Sequence, residues 1–327
     1  MNKFKNIIRL IRSYLYDMKR YYRFSCIKTK TPETLLTKIT TCYHVLEKGL
    51  SFRDIRVGFG KEKIEEIVQL LNLYMKVNGD VNNSQIIAAS KVLEGYNEYH
   101  ERISDQLDSE IIDRVANIKK TLSSIYKLIN NEYVEYLGGC KEIIRSEYLH
   151  SSKGDFASLS KSRCSIRDFS TGDVPLQEIQ DSVVLASKSP STCNRQSARV
   201  HCFCNEQDIQ RILDLHKGAR GFSSYVNKLL IVAGDLKACV GVGDRSQVYL
   251  DCGIFTMSLL YALQYRGIGA CILHWNVDLK KDKNLRSLIE IPSSHTIVCM
   301  IAVGMLNEKF NVPISQRKPI EEIVSIY

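Results

Sequence analysis

The chain has 327 residues, of which 44% are hydrophobic and 25% charged, and these are ordinary values for a globular protein with a substantial core. This length accommodates two domains. The net charge of +9 is uneven: residues 1–30 carry nine Lys or Arg and one acidic residue, whereas the rest is nearly neutral. This distribution excludes a basic nucleic-acid-binding surface beyond the first segment.

The first predicted element is a basic amphipathic helix within residues 1–30. Phe4 and Ile7 begin a series of apolar residues at helical spacing, and Lys5 and Arg9 fall on the other side. Such a helix lies on an anionic membrane surface, docks onto another subunit or packs on its own protein. Charges interrupt it too often for a secretory signal, and no stretch is long enough to span a bilayer.

Residues 31–150 form a region that we predict to be helical. The sequence TPE at 31–33 combines a cap, a first-turn proline and an acid, and so indicates a helix start. This helix is predicted to end at Gly49, and the next one at the NGD sequence of 78–80. Two longer helices follow, the second marked by apolar residues at helical spacing between 111 and 129.

A loop rich in glycine and charge is predicted between the first two of these helices. It comprises HVLEKGLS at 44–51 and RVGFG at 56–60. We interpret it as an ordered interhelical turn with a Glu47–Lys48 pair on the surface. The alternative is that it contacts the active site or a partner.

A change in composition at 151–155 predicts a second domain, residues 155–327, in which helices and strands mix. Helices are predicted at 175–188 and 253–266, and strands at 198–204, 229–233, 296–303 and after Gly267.

The first chemical feature of this domain is the sequence RCSIRDF at 163–169. Alternate residues of an extended segment point to the same side, so Arg163, Ser165 and Arg167 can converge on one anion. Guanidinium groups and a hydroxyl suit a phosphate monoester. A Pro-Ser turn follows, and its Asn194 offers an amide that suits the mixed edges of a planar heterocycle. Together these features indicate a flavin site.

Two weaker signals lie further along the chain. Gly267 and Gly269 end a helix, which is not the dinucleotide fingerprint. They either let the backbone approach a flat ligand or cap the helix before a tight turn. Arg317, which precedes a Lys-Pro pair, either returns to the phosphate held by Arg163 and Arg167 or is a solvated tail charge.

The cysteines and histidines indicate neither a disulfide framework nor a metal site. The 11 cysteines include no Cys-x-x-Cys pair, and the seven histidines are scattered. We therefore expect a reducing, cytoplasmic environment and no metal. Nothing resembles a nucleophile elbow or a Ser-His-Asp arrangement, so no catalytic residue is predicted.

Residues 158–327, which include these segments, resemble the nitroreductase family of FMN-dependent oxidoreductases. The resemblance implies an α+β fold, with an antiparallel sheet flanked by helices, preceded here by an all-helical region. It also implies a homodimer with two FMN sites at the subunit interface, and a C-terminal extension that crosses to the partner. The segments that carry it are 163–169, 189–196, 251–253 (DCG), 267–269 (GIG), 301–304 (IAVG) and 317–324 (RKPIEEIV).

The resemblance assigns nine cofactor-binding residues. It also implies that a positive charge near flavin N1 and O2, from Arg167 or Arg195, stabilises the reduced form. The nine are Arg163, Ser165, Arg167 and Arg317 for the phosphate and ribityl chain, Pro190, Ser191 and Asn194 for the isoalloxazine, and Leu273 and His274, whose backbone approaches the ring.

The activity implied is reduction of a small-molecule acceptor by NADH or NADPH in a ping-pong mechanism, with nitro compounds, quinones and related electrophiles as acceptors. Ser197 and Ala198 stand where the family commonly has Pro-Trp, which leaves the substrate class open. The HVLEKGLS sequence and Trp275 resemble a bacterial subgroup associated with surface-polysaccharide gene clusters. The alternative function is a flavin-binding or interaction protein without turnover.

Overall fold

The computed structural model describes residues 2–24, 31–128, 139–239 and 242–327. The chain divides into two units, of which one comprises Met1–Lys141 with Pro313–Tyr327 and the other Glu142–Val312.

The first unit is helical, as predicted. Thr31, Asn83 and Asp108 each cap a helix by accepting a hydrogen bond from a backbone N–H of its first turn. Buried apolar side chains of the middle helices form one core. No described helix has the length and hydrophobicity needed to cross a bilayer. The helices are α1 (Asn2–Phe24), α2 (Pro32–Leu50), α3 (Lys61–Lys76), α4 (Ser84–Arg102) and α5 (Ser109–Tyr126); Ile129, expected in the last, lies outside the described residues.

The predicted surface pair at Glu47–Lys48 is wrong. Residues 44–50 belong to α2, and the Glu47 side chain is 1% exposed. Its Oε1 accepts a hydrogen bond from the backbone N–H of Ser315 at 3.0 Å, and its backbone oxygen accepts one from Cys140 Sγ. Glu47 is buried because it holds the C-terminal segment Pro313–Tyr327 against the helices of its own unit.

His100 is fully buried in the helical unit with both ring nitrogens hydrogen-bonded. Nδ1 lies 2.8 Å from the Tyr96 carbonyl oxygen, and Nε2 accepts a hydrogen bond from the Gly58 N–H at 3.0 Å. This pattern requires the neutral ring with its proton on Nδ1. Burial, with a smaller contribution from the Arg114 charge, lowers the pKa of His100.

The second unit contains a four-stranded antiparallel sheet in the order β2-β3-β5-β4. The predicted α+β architecture is therefore confirmed. Apolar residues of α8 and α10 pack on one face of the sheet, and α9 contacts β3. Its strands are β2 (Ala198–Phe203), β3 (Lys228–Asp235), β4 (Ile268–His274) and β5 (His295–Met305), and its helices are α6 (Arg145–Ser152), α7 (Phe156–Ser162), α8 (Leu176–Ala186), α9 (Glu206–His216), α10 (Gln247–Tyr265) and α11 (Leu279–Leu288).

The chain passes from one unit to the other within two further strands, β1 (Cys140–Ile144) and β6 (Lys309–Pro313), which pair with each other. The division therefore lies before the expected boundary at 151–155. The reason is α6, which packs on α7 and α10, and whose buried Tyr148 makes an edge contact with Phe310.

One aromatic contact joins the chain after α7 to the sheet. The Phe169 side chain is fully buried, and it lies so close to Gly304 of β5 that a Cβ there would approach the ring to 2.6 Å. Gly269 of β4 faces the same ring, with a corresponding distance of 3.1 Å. Glycine at these positions lets Phe169 pack directly on the backbone of two strands.

We expect His100 to make the helical unit less stable at low pH. Its pKa in the folded chain lies below the ordinary 6.5, so the unfolded chain binds a proton more readily. The stabilising contribution of neutral His100 is fully present at pH values above its ordinary pKa. It is lost as the pH falls towards the lowered pKa of the folded chain. Hydrogen exchange of the α4 amides at pH 7.5 and 5.5 measures the loss, which should be smaller in His100→Gln.

The matched control is His150→Gln, because His150 is exposed. This variant should keep the wild-type pH dependence. An equal loss of protection in wild type and His100→Gln would contradict the role given to His100.

Gly304→Ala should destabilise the sheet unit by about 1–3 kcal/mol, because the added methyl group overpacks Phe169. The fluorescence of Trp275, the single tryptophan and a buried residue of this unit, reports its unfolding in urea. Gly253→Ala is the control: no atom lies within 4 Å of its added Cβ, and alanine favours α10 by about 1 kcal/mol. Equal stability of the two variants would contradict the packing argument.

Candidate functional site

The predicted anion-binding segment runs beside the outer edge of the sheet. Ile166 donates a backbone hydrogen bond to the Ala270 oxygen of β4 at 3.0 Å, and Phe169 forms an antiparallel bridge with Leu306. Ile166 is fully buried and Arg167 nearly so, whereas Ser165 is partly exposed. The structure thus places Arg163, Ser165 and Arg167 on a segment that the sheet edge holds.

The two guanidinium groups of this segment have no carboxylate partner within the described part of the chain. Arg167 is only 8% exposed, and its NH1 reaches the Ser165 carbonyl oxygen at 3.5 Å. Neither Arg167 nor Arg163 forms an ion pair with a described carboxylate. A buried guanidinium without a counter-charge is energetically costly.

Pro190, Ser191 and Asn194 lie together in the turn between α8 and β2. The Ser191 Oγ accepts a hydrogen bond from the Gln196 N–H at 2.9 Å, and the Ser191 carbonyl accepts one from the Asn194 N–H. Cys193, Asn194 and Gln196 have φ of 50°, 53° and 48°. Asparagine tolerates this left-handed region, whereas Cys and Gln rarely adopt it, and such strain concentrates at ligand-binding turns.

The buried carboxylate of Asp251 holds this turn. Its Oδ1 accepts hydrogen bonds from the Thr192 N–H at 3.3 Å and from Gln247 Nε2 at 2.7 Å. Its Oδ2 accepts one from Ser197 Oγ at 3.2 Å. Asp251 lies on α10, so one side chain joins this helix to both ends of the turn. The residues alone did not predict this role, because Asp251 stands in an otherwise apolar helix and its partners are distant in sequence.

Arg195, expected as a possible positive group beside the ring, is paired. Its NH1 lies 2.6 Å from Asp244 Oδ2, and its Nε donates to the Thr192 carbonyl. The charge of Arg195 is therefore largely compensated, in contrast to that of Arg167.

Leu273 and His274 lie at the end of β4, the strand that also contacts the arginine segment. The oxygens of Ala270 and His274 accept hydrogen bonds from outside the sheet, the second from His216 Nε2 at 2.8 Å. In an antiparallel pair alternate residues turn their backbone groups outward, so the outward N–H belongs to His274 and that of Leu273 faces β5. His216 was missed from the sequence, where nothing links it to β4.

A cleft of about 480 Å³ lies next to the turn. Leu176, Ile179, Val200 and Phe255 are among the residues that form its apolar surface. Pro190, Ser191, Ser197 and Asp251 also line it, so the cleft adjoins the turn residues rather than the arginine segment.

The structure does not bring all nine predicted residues into one described arrangement. Arg317 belongs to the helical unit, where its NH1 donates to the Ser315 carbonyl at 2.9 Å. Gly267, with φ +77°, follows the end of α10, which is the capping interpretation. Gly269 approaches Phe169 rather than an open site. Among the described residues, no cluster of three or more His, Cys, Asp or Glu side chains could hold a metal ion.

Comparisons with known proteins give one match to a family model and several similar solved structures. Residues 161–220 and 227–305 match the model of the nitroreductase family. Similar solved structures include an FMN-dependent nitroreductase from Clostridium difficile, at 17% identity and a TM-score of 0.41, covering 46% of this chain and 86% of its own. Another is a nitroreductase-like protein from Streptococcus mutans, at 20% identity and a TM-score of 0.42. This similarity covers 56% of the present chain and 98% of the Streptococcus mutans chain. None of the curated proteins compared matches the chain.

Asp251→Ala should destabilise the sheet unit by about 1–3 kcal/mol, because it leaves the buried hydroxyl of Ser197 and the half-buried donors of Thr192 and Gln247 without an acceptor. Urea unfolding followed by Trp275 fluorescence measures this change. Asp214→Ala, at an exposed position of α9, is the control and should stay within about 0.5 kcal/mol of wild type. If both variants unfold at the same urea concentration, Asp251 does not hold the turn.

Proposed function

Because residues 161–220 and 227–305 match the model of the nitroreductase family, we propose that the protein is an FMN-dependent oxidoreductase that uses NADH or NADPH as reductant. The proposal concerns the sheet unit, which contains the whole matched segment.

One observation carries the assignment of the cofactor. Arg167 is buried without an acidic partner, on the same extended segment as Arg163 and Ser165. The donors on this segment match what a phosphate monoester accepts: charge, planar fork geometry and a hydroxyl. A neutral ligand would leave the buried charge uncompensated. The residues present therefore fit the phosphate end of FMN.

These residues bind and orient the cofactor. Arg163, Ser165 and Arg167 hold the phosphate and the ribityl chain, and Arg317 is proposed as a further phosphate ligand. Arg167, whose charge is not compensated by a carboxylate, is the better candidate for a positive charge near flavin N1 and O2, since Asp244 pairs with Arg195.

The turn and the end of β4 are proposed to contact the isoalloxazine. Pro190, Ser191 and Asn194 lie on one side of the site, and the outward N–H of His274 offers a donor. FMN supplies hydride-transfer chemistry when bound. The protein restrains the groups around it, through Asp251 at the turn and through His216, which holds the His274 carbonyl.

We propose that reductant and acceptor use the site in turn, which gives ping-pong kinetics. The acceptor is a nitro compound, a quinone or a related electrophile. The buried Ser197 side chain donates a hydrogen bond to Asp251, and Ala198 lines the cleft. Small residues therefore occupy the two positions where the family commonly has Pro-Trp. Fold alone does not determine the acceptor, and a link to polysaccharide biosynthesis stays a prediction from the HVLEKGLS sequence.

A homodimer is also proposed. Val184 and Leu185 of α8 and Leu250 and Ile254 of α10 are apolar and exposed in the single chain. Contact with a second copy would remove this surface from water. The reducing cytoplasm is the proposed compartment, since the 11 cysteines lack framework spacing.

Arg163→Ala should weaken FMN binding by about tenfold to a hundredfold, because it removes a charge-assisted hydrogen bond to phosphate. Equilibrium titration of the apoprotein with FMN, followed by flavin fluorescence, measures the dissociation constant. Arg195→Ala is the matched control, since it removes an arginine already paired with Asp244, and it should bind FMN nearly as wild type does. Equal affinities of the two variants would contradict the placement of the phosphate.

The function as a whole is tested on the purified full chain. A yellow protein that releases FMN and oxidises NADH or NADPH with a nitroaromatic or quinone acceptor supports the proposal. A colourless protein that FMN cannot reconstitute would instead favour an interaction protein without turnover.

A further inference from the structure

The strongest feature that the proposed function does not use is the apolar side of α1. Phe4, Ile7, Ile11, Leu15 and Met18 recur at helical spacing and so share one side of this helix. Each is more than half exposed, and Phe4 reaches 70%. A side this apolar is normally covered in a water-soluble protein, and here the described chain does not cover it.

The positive charges next to the apolar side of α1 indicate which kind of surface covers this side. Lys5, Arg12 and Lys19 project from an adjacent side of the helix, and residues 1–30 as a whole carry +8 with Asp17 as the only acid. At 1.5 Å per residue the helix of 23 residues extends over about 35 Å, so these charges form a row beside the apolar stripe. A second copy of α1 would bring an equal positive charge against the first. An anionic surface compensates the row.

We propose that α1 binds the surface of an anionic lipid membrane and holds the protein there. The apolar stripe enters the boundary between headgroups and acyl chains, and the helix lies parallel to the surface. Tyr14, also exposed, is suited to that boundary because its ring is apolar and its hydroxyl polar. The Lys and Arg side chains extend their stems along the surface and place their charges among the anionic headgroups.

The inference is independent of the proposed oxidoreductase function. It uses only α1, which belongs to the helical unit, and none of the residues assigned to the cofactor.

Cosedimentation of the full chain with vesicles tests the proposal. Wild-type protein should bind vesicles of phosphatidylcholine mixed with phosphatidylglycerol, and bind vesicles of phosphatidylcholine alone at least about tenfold less. Added salt should weaken the binding to the mixed vesicles. Equal binding to both compositions, or none to either, would overturn the proposal.

Two pairs of variants separate the stripe from the charges. Ile7→Asn with Ile11→Asn should lower partition by at least about tenfold, because the apolar stripe is interrupted. Ile112→Asn is the control: Ile112 on α5 is 53% exposed, as Ile11 is, but lies outside α1. Its partition should equal that of wild type.

The second pair replaces charges. The double variant Arg9→Gln with Arg12→Gln should also lower partition onto the mixed vesicles at least about tenfold. The control is Lys280→Gln with Lys283→Gln, which removes the same charge from exposed positions of α11 and should not lower this partition. Equal losses in both double variants would mean that net charge alone drives binding, which overturns the role of α1.

Two further readouts make the outcome decisive. Circular dichroism should show the same helix content in all variants, and NADH oxidation in the absence of lipid should be unchanged by Ile7→Asn with Ile11→Asn. If light scattering shows that this variant alters the oligomeric state while lipid binding persists, the stripe is a contact between copies and the proposal fails.

Discussion

The contact between Phe169 and the backbone of Gly304 is the constraint that fixes the position of the arginine segment, residues 163–169. The segment has no regular secondary structure of its own, so its position comes from what it packs against. Phe169 fixes one end against β4 and β5, and the Ile166 hydrogen bond to Ala270 fixes the middle. The arginines therefore lie on a segment with little conformational freedom, which would lower the entropy lost on binding of the proposed phosphate.

Electrostatic compensation distinguishes the two arginines that the sequence left equivalent. Arg195 has Asp244 at 2.6 Å, whereas buried Arg167 donates to the Ser165 carbonyl oxygen and pairs with no described carboxylate. A guanidinium already paired adds little to ligand binding, and one that lacks a counter-charge gains from it. The negative charge of Asp251 is stabilised in another way. Its carboxylate accepts hydrogen bonds from neutral donors and so holds the strained turn without a cation.

The two units use buried acidic groups for similar purposes. Glu47 in the helical unit accepts the Ser315 N–H, as Asp251 in the sheet unit accepts the Thr192 N–H. In each case a helix residue holds an irregular segment by its backbone, which is effective because a charged acceptor strengthens the hydrogen bond. The N-terminal helix α1 differs from both, since its apolar side has no partner in the described chain.

The sequence by itself determined the helical first half, the strand segments of the second half and the segments that carry the family resemblance, because periodicity, caps and local motifs depend on neighbouring residues. It predicted Arg163, Ser165 and Arg167 as one group for the same reason. Only the tertiary structure decided that Glu47 is buried and that Asp251 and His216 restrain the site. Their partners are distant in sequence, and the hydrogen bonds between them exist only after the chain has folded.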